Sequence, residues 1–279
     1  MIDNFDYVVV GSGPAGSLLA DRLTEDNDAT VCVLEAGAMD TNRYVRIPAG
    51  FVKMLHDPTH LWSFKSEPSA TTAGREIKIP QGRIVGGSSS LNGLVYARGQ
   101  ADDFNDWGND GWGYRDVLPY FMRSERRIGM GDDNFRGRNG ALPITDTDWR
   151  HVLCEAFIQG AGEFGIPRNP DYNGAQQEGA GYFQRTIHRG RRVSCADAFL
   201  HPAIRRGGVD LRVEAHVTGI LLEGTRAVGV RYEQAGQLRE VHARREVIVC
   251  AGTINSPKLL QLSGIGSAAL LQQIGRAHV

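Results

Sequence analysis

Three glycines, Gly11, Gly13 and Gly16, stand in the run GSGPAG, and Glu35 follows nineteen residues after the last of them. Between a strand and a helix, this spacing brings bare backbone against a pyrophosphate. Gly11 permits the tight turn, Gly13 the close approach, and Gly16 the packing of helix on strand. The helix start adds free N–H groups and a partial positive charge, and Pro14 suits its first position. A carboxylate at Glu35 would accept hydrogen bonds from ribose hydroxyls and repel a 2′-phosphate, which leaves NAD or FAD as the dinucleotide.

The glycines mean this only if the right elements flank them. Residues 7–10, Tyr-Val-Val-Val, form a short β-branched run of the kind buried on both faces, and Ala15, Leu18, Leu19 and Leu23 then recur on one helix face. Residues 31–34 make a second buried strand, completing a strand–helix–strand unit. From 37 to 200 the texture is irregular. A helix is expected there with Val152, Leu153, Ala156, Phe157 and Phe164 on one face, capped by the Asp/Thr cluster at 145–148. A second is expected from Ser194 to the Gly207-Gly208 stop, bent or shortened by Pro202. Beyond residue 209 the period becomes two, with turns at Gly224-Thr225 and Ala235-Gly236, as in a β-meander. It leads into a buried strand at 247–250. Ala251 and Gly252 follow, at the strand's carboxyl end beside the first glycine loop, and a helix is expected to start with Ser256 as cap and Pro257 as first residue, stopping at Gly264.

Composition narrows the function classes. The 279 residues can bury a core without staples, and 31 basic against 32 acidic residues give no electrostatic case for nucleic acid or an anionic membrane. Cys32, Cys154, Cys195 and Cys250 are far apart and show no metal-ligand spacing, so no metal site is expected and a reducing cytoplasm fits. No signal segment or spanning stretch is read. None of the eight histidines stands in a catalytic motif, and no catalytic residue is assigned.

The run GRIVGGSSSLNG, residues 82–93, has the composition of a Gly/Ser linker, but LVY follows it, which no linker needs. Gly86-Gly87 followed by Ser88 and Ser89 suits a turn with exposed N–H and hydroxyl donors. Together with AGTINSPKLLQLSGIG at 251–266, these runs resemble the glucose-methanol-choline (GMC) oxidoreductases. Gly82, Arg83, Gly86, Gly87, Ser88, Ser89, Leu91, Asn92 and residues 96–99 fit one family signature, and Gly252, Ser256, Pro257, Ser263, Gly264 and Gly266 fit the other. The stretches DYNGAQQEGAGYFQRT and RRVSCADAFLHPA look like the choline and long-chain alcohol dehydrogenase branch.

That resemblance implies an α/β fold: an FAD-binding, Rossmann-like parallel sheet with a β-meander, plus an incomplete α+β substrate domain. It implies an FAD-binding domain from 1–36, 82–100 and 200–273, substrate-domain segments at 37–81 and 101–199, and a non-native tail at 274–279. The cofactor would meet Gly11, Gly13, Pro14, Ala15, Gly16, Glu35, Ala36, Arg83, Val85, Gly87 and Ser88. Asn92, Gly93, Leu94 and Val95 would lie near the isoalloxazine, Val217 by the adenine, and Ala251 and Gly252 at the sheet's end. Some members bind FAD covalently through a His where this chain has Leu91, so non-covalent FAD is implied. The implied reaction oxidises an alcohol, choline-like or aliphatic, to an aldehyde, with hydride passing to the flavin. The family's catalytic His and its partner lie in a C-terminal half that is expected to be missing here, leaving an exposed apolar surface. No residue marks the electron acceptor. Two readings stay open beside this one: a flavin-binding module without turnover, and an NAD-dependent Rossmann dehydrogenase. The expected compartment is the cytoplasm, with attachment to the inner-membrane surface as a variant.

Overall fold

Residues 8–10 and 31–34 alternate between two hydrophobic clusters, and this alternation sets the architecture. Val8, Val10, Cys32 and Leu34 point into one cluster, Val9, Val31 and Val33 into the other, all buried. Strands covered on both faces must lie at the middle of a layered sheet. The computed structural model, which describes residues 3–275, shows such a sheet.

In chain order the elements are β1 (Asn4–Val10), α1 (Pro14–Leu23), β2 (Val31–Leu34), α2 (Arg43–Arg46), α3 (Phe51–Met54), β3 (Leu61–Lys65), β4 (Lys78–Gly82), α4 (Ala101–Asn105), α5 (Tyr114–Ser124), β5 (Glu125–Ile128), β6 (Leu142–Thr145), α6 (Val152–Glu163), β7 (Ile187–His188), β8 (Arg191–Arg192), α7 (His201–Arg206), β9 (Val209–Arg212), β10 (His216–Glu223), β11 (Arg226–Gln234), β12 (Gln237–Val249), α8 (Gly252–Leu262) and α9 (Ala268–Gln273). They divide into two compact units, one of residues 1–92 with 194–279 and one of residues 93–193.

The first unit holds a mixed sheet in the order β10-β11-β12-β1-β2-β9. β12 joins its two halves: residues 237–242 pair antiparallel with β11, and residues 242–249 run parallel to β1. The meander is therefore β10 to β12. Residues 209–212, which the period-two pattern merged with it, leave it and pair parallel with β2 at the opposite edge. Residues 37–81 also fall in this unit by contact, including the β3–β4 hairpin.

Two helix starts differ from expectation. α8 begins at Gly252, whose φ of +86° turns the chain straight out of β12, so Pro257 stands inside the helix and Ser256 is not its cap. Near 194 the Ser194 hydroxyl does accept from the Asp197 N–H (3.1 Å), but one wide π turn over Ala196–Leu200 precedes α7, with Pro202 in its first turn.

The second unit carries β5–β6, β7–β8 and α6. The α6 cap is His151, whose Nδ1 accepts from the Leu153 N–H at 3.2 Å, because Thr145 belongs to β6 and the cluster expected to cap ends too early. Its apolar stripe is exposed: Leu153 is 71%, Phe157 75% and Phe164 90% exposed, and Ile158 alone of α6 is buried.

Candidate functional site

Each glycine of the first loop has a physical reason in the structure. A Cβ on Gly11 (φ +98°) would lie 2.5 Å from the Cys250 carbonyl oxygen, and one on Gly16 only 1.9 Å from that of Gly11. Both positions hold β1, β12 and α1 together at backbone contact. Gly13 is different, since a Cβ there would meet nothing within 4 Å and its φ of −64° suits any residue. Bare backbone there faces a cavity. Gly13, Pro14 and Ala15 line it at the start of α1, where no side chain caps the helix and no acid stands in the first turn, so the N-terminal N–H groups and positive dipole end are offered to an anion.

The second glycine run lies directly across the first. Gly86 N–H donates to the Ser12 carbonyl (3.1 Å), Val85 N–H to that of Ala38 (3.0 Å), and a Cβ on Gly87 (φ +54°) would stand 2.8 Å from Gly13 Cα. The serines staple this loop instead of offering donors outward. Ser89 Oγ donates to the Gly86 carbonyl (2.6 Å) and accepts from Cys195 N–H (3.0 Å), and Ser90 Oγ donates to the Val85 carbonyl (2.7 Å). Ser88 accepts from Gly82 N–H (3.0 Å) and is the serine of the run that reaches the cavity. The run is thus shaped backbone, closed by a 3-10 turn at Gly87–Ser90.

The cavity has a volume of about 1120 Å³, above the usual range for drug-sized ligands and ample for a dinucleotide. Of the residues expected to hold the cofactor, Gly11, Gly13, Pro14, Ala15, Glu35, Ala36, Gly87, Ser88, Val217, Ala251 and Gly252 line it together. Gly16 packs behind the loop, Val85 is fully buried in the core, and the Arg83 guanidinium lies over the Trp62 ring, outside the cavity lining. Asn92 is exposed at the end of the first unit, and Gly93, Leu94 and Val95 begin the second.

Glu35 is committed to the loop. Its Oε2 accepts from the Ser12 N–H (3.0 Å) and hydroxyl (2.7 Å), and its Oε1 from the Gly37 N–H (2.8 Å). Burial pushes its carboxyl above the ordinary range, and the three donors counter this only in part. The geometry gives it a role in holding the turn between Ser12 and Gly37.

Sequence reasoning missed part of the cavity lining. Trp62, Phe64 and Ile79 from the β3–β4 hairpin, His216 from β10 and Lys258 from α8 also line the cavity. Alternation along β3 puts Trp62 and Phe64 on one face, but no local signal says that this hairpin folds over the glycine loops. Burial, with the charges of Arg83 and Lys258, pushes the His216 pKa down. Elsewhere in this unit Asp40, Asp197 and His201 form the one grouping of metal-ligand types among the described residues, and Arg46 forms ion pairs with both carboxylates.

A helix N-terminus, close-approach glycine backbone and an aromatic wall around one large cavity fit a pyrophosphate-linked dinucleotide. Comparison with known proteins agrees with that donor set. A family model described as GMC oxidoreductase matches residues 5–278. The chain belongs to the GMC oxidoreductase family. It is 46% identical over 273 residues to an oxygen-dependent choline dehydrogenase of Brucella ovis, a match covering 97% of this chain and 49% of that protein. Among solved structures it is similar to pyridoxine 4-oxidase from Mesorbium loti (TM-score 0.90, 35% identity, 98% of this chain and 54% of that one). It is similar also to an FAD-dependent oxidoreductase from Chaetomium thermophilum (TM-score 0.91, 30% identity, 99% and 50%). The chain spans about half the length of the curated relatives it matches. Its mostly parallel sheet is that of the GMC fold.

Proposed function

We propose that this chain is the FAD-binding part of an oxidoreductase acting on the CH–OH group of a small alcohol, choline-like or aliphatic, with FAD held non-covalently. The observation that carries the reading is the crossing of Gly87 on Gly13 at the start of α1, which makes a cradle of backbone beside a cavity of dinucleotide size. Family membership and an FAD-dependent structural neighbour support FAD over NAD.

In this reading the N–H groups at the start of α1 would hold the pyrophosphate, and Gly87 and Ser88 of the Gly86–Ser90 loop, which is held by its own serine hydroxyls, would line the same site. Glu35 fixes Ser12 and Gly37 so that the loop keeps its shape without ligand. Bound flavin supplies a hydride acceptor for the alcohol carbon. No histidine among the described residues is assigned as the base for the hydroxyl proton, and we place that group in the stretch that the relatives carry beyond the match. Leu91 supports the non-covalent attachment: it is 2% exposed and packs with Val45, Met54, Leu61 and Ile84, where no flavin-linking side chain is offered. The four cysteines are free, and no described helix is long and apolar enough to cross a membrane; the proposed compartment is the cytoplasm.

The test is to incubate the purified chain with FAD or NAD, remove free ligand and acid-precipitate. The expected result is retention of visible flavin bands and full release of flavin to the supernatant. Retention of NAD alone would contradict the choice of cofactor, and flavin in the pellet the mode of attachment.

A further inference from the structure

Asp40, Arg46, Asp197 and His201 make an ion cluster apart from the cavity, and none of the four lines it. Arg46 Nη2 donates to Asp40 Oδ2 (2.8 Å) and Arg46 Nη1 to Asp197 Oδ1, while His201 Nε2 lies 3.1 Å from Asp40 Oδ1 and 3.0 Å from its Oδ2. Two carboxylates and an imidazole are ligands for a cation, and the Arg46 guanidinium takes that place, its planar fork reaching both acids at once. Burial pushes the Asp40 carboxyl up, but the hydrogen bond and charge of His201 and the charge of Arg46 outweigh it and hold the group below the ordinary range.

The cluster joins the turn after β2 to the π turn and α7, and the second glycine run is bonded to both. On the Asp40 side, Val85 N–H donates to the Ala38 carbonyl (3.0 Å), and Ala38 and Ile84 form a parallel bridge. On the other side, Asp197 Oδ2 accepts from the Ser194 N–H (3.0 Å) and hydroxyl (2.9 Å), and Cys195 N–H donates to Ser89 Oγ (3.0 Å). A Cβ on Gly86 would meet Ala196 Cβ at 3.2 Å and Ser194 Oγ at 3.5 Å. Gly86, which crosses onto the phosphate loop through Ser12, thus stands against residues that the cluster fixes.

We propose that Arg46 is a positioning residue: with Asp40, Asp197 and His201 it clamps the turn after β2 to the π turn, and so keeps the Gly86–Ser90 loop in place on Gly13 beside the cavity. The effect on cofactor binding rests on the reading of the cavity as an FAD site, whereas the clamp on the loop does not.

Arg46→Gln removes the bridging cation and leaves two carboxylates facing each other. Arg206→Gln is the matched control, because it breaks an ion pair (2.9 Å) between α7 and Asp21, near the far end of α1 from the loop. Both variants should melt lower, so readouts confined to the loop decide. In the ligand-free chain, amide exchange at Val85 and Gly86 should rise about tenfold or more in Arg46→Gln and stay within about twofold in Arg206→Gln. FAD affinity should fall about tenfold in the first and stay within about twofold in the second. Arg46→Lys, which keeps the charge but reaches one carboxylate at a time, should recover part of the loss. Ser89→Ala cuts the link to Cys195, and combined with Arg46→Gln it should weaken FAD binding no further than the larger single loss. Equal exchange in Arg46→Gln and Arg206→Gln, or additive losses in the double variant, would overturn the clamp. Unchanged FAD affinity in an Arg46→Gln chain whose loop exchanges faster would overturn its link to the cofactor. If wild type binds no FAD but the exchange contrast holds, the cofactor reading falls and the clamp stands. Should Arg46→Gln fail to fold, Arg46→Lys against Arg206→Lys gives the same contrast, with the same results deciding.

Discussion

The glycine crossing in the first unit and helix α6 in the second are built on opposite principles. At the crossing, side chains are missing because neighbouring backbone occupies their places: Cβ atoms on Gly11, Gly16 and Gly87 would sit 2.5, 1.9 and 2.8 Å from carbonyl oxygens or a Cα. On α6, large side chains are present and stand in solvent, with Leu153, Phe157 and Phe164 more than two-thirds exposed. The first region is complete within the described residues. The second presents a face whose spacing, four then seven, is that of a packed helix surface. Steric complementarity is thus a closed statement about a chain, whereas amphipathicity says which face is apolar and not what meets it.

Substitutions should separate the two regions sharply. The largest effect belongs to Gly16→Ala, where the new methyl meets backbone that cannot move aside. A loss of about 3 kcal/mol or more is expected, read as collapse of the thermal transition. Next comes α6, where the two faces should respond unequally. Ile158→Ala, at the buried position, should cost about 2–4 kcal/mol in a denaturant melt, and Phe157→Ser, on the exposed face, should change stability by no more than about 0.5 kcal/mol while lowering binding of a hydrophobic dye. Equal costs at these two sites would erase the contrast.

The smallest effect is a slope. Because burial raises the folded-state pKa of Glu35 above its unfolded value, its contribution is fully present below the unfolded value and is lost as pH rises through the raised one. Wild-type stability relative to Glu35→Gln should therefore decline from about pH 4.5 upward, the range starting at the ordinary carboxyl value. Chemical denaturation of both proteins across pH checks this, and a difference that grows with pH would reverse the sign.

The strand–helix–strand start and the meander turns were legible because they rest on local rules. Positive φ at Gly11, β-branched runs in β1 and β2, and paired turn residues at 224–225 and 235–236 all act within a few positions. The departure of β9 from the meander was not legible, since residues 209–212 alternate as well as β10 does and only the sheet's order decides their partner. The same limit hid Trp62 and His216, which meet from strands more than 150 residues apart. The mistaken start of α8 has a local cause that composition obscured: Pro257 fits a first-turn rule, but a glycine able to turn at Gly252 lets the helix begin earlier. The tail expected at 274–279 lies for its last four residues outside the described residues.

The central claim is that bare backbone at Gly13, pressed by Gly87, cradles the cofactor. It is tested most directly by titrating FAD into wild type and Gly13→Ala with melting followed on the same samples. Gly13 has room and an ordinary φ for a methyl group, so the melting temperature should stay within about 2 °C, while FAD affinity falls about tenfold or more. Unchanged affinity in a fully folded Gly13→Ala would contradict the account.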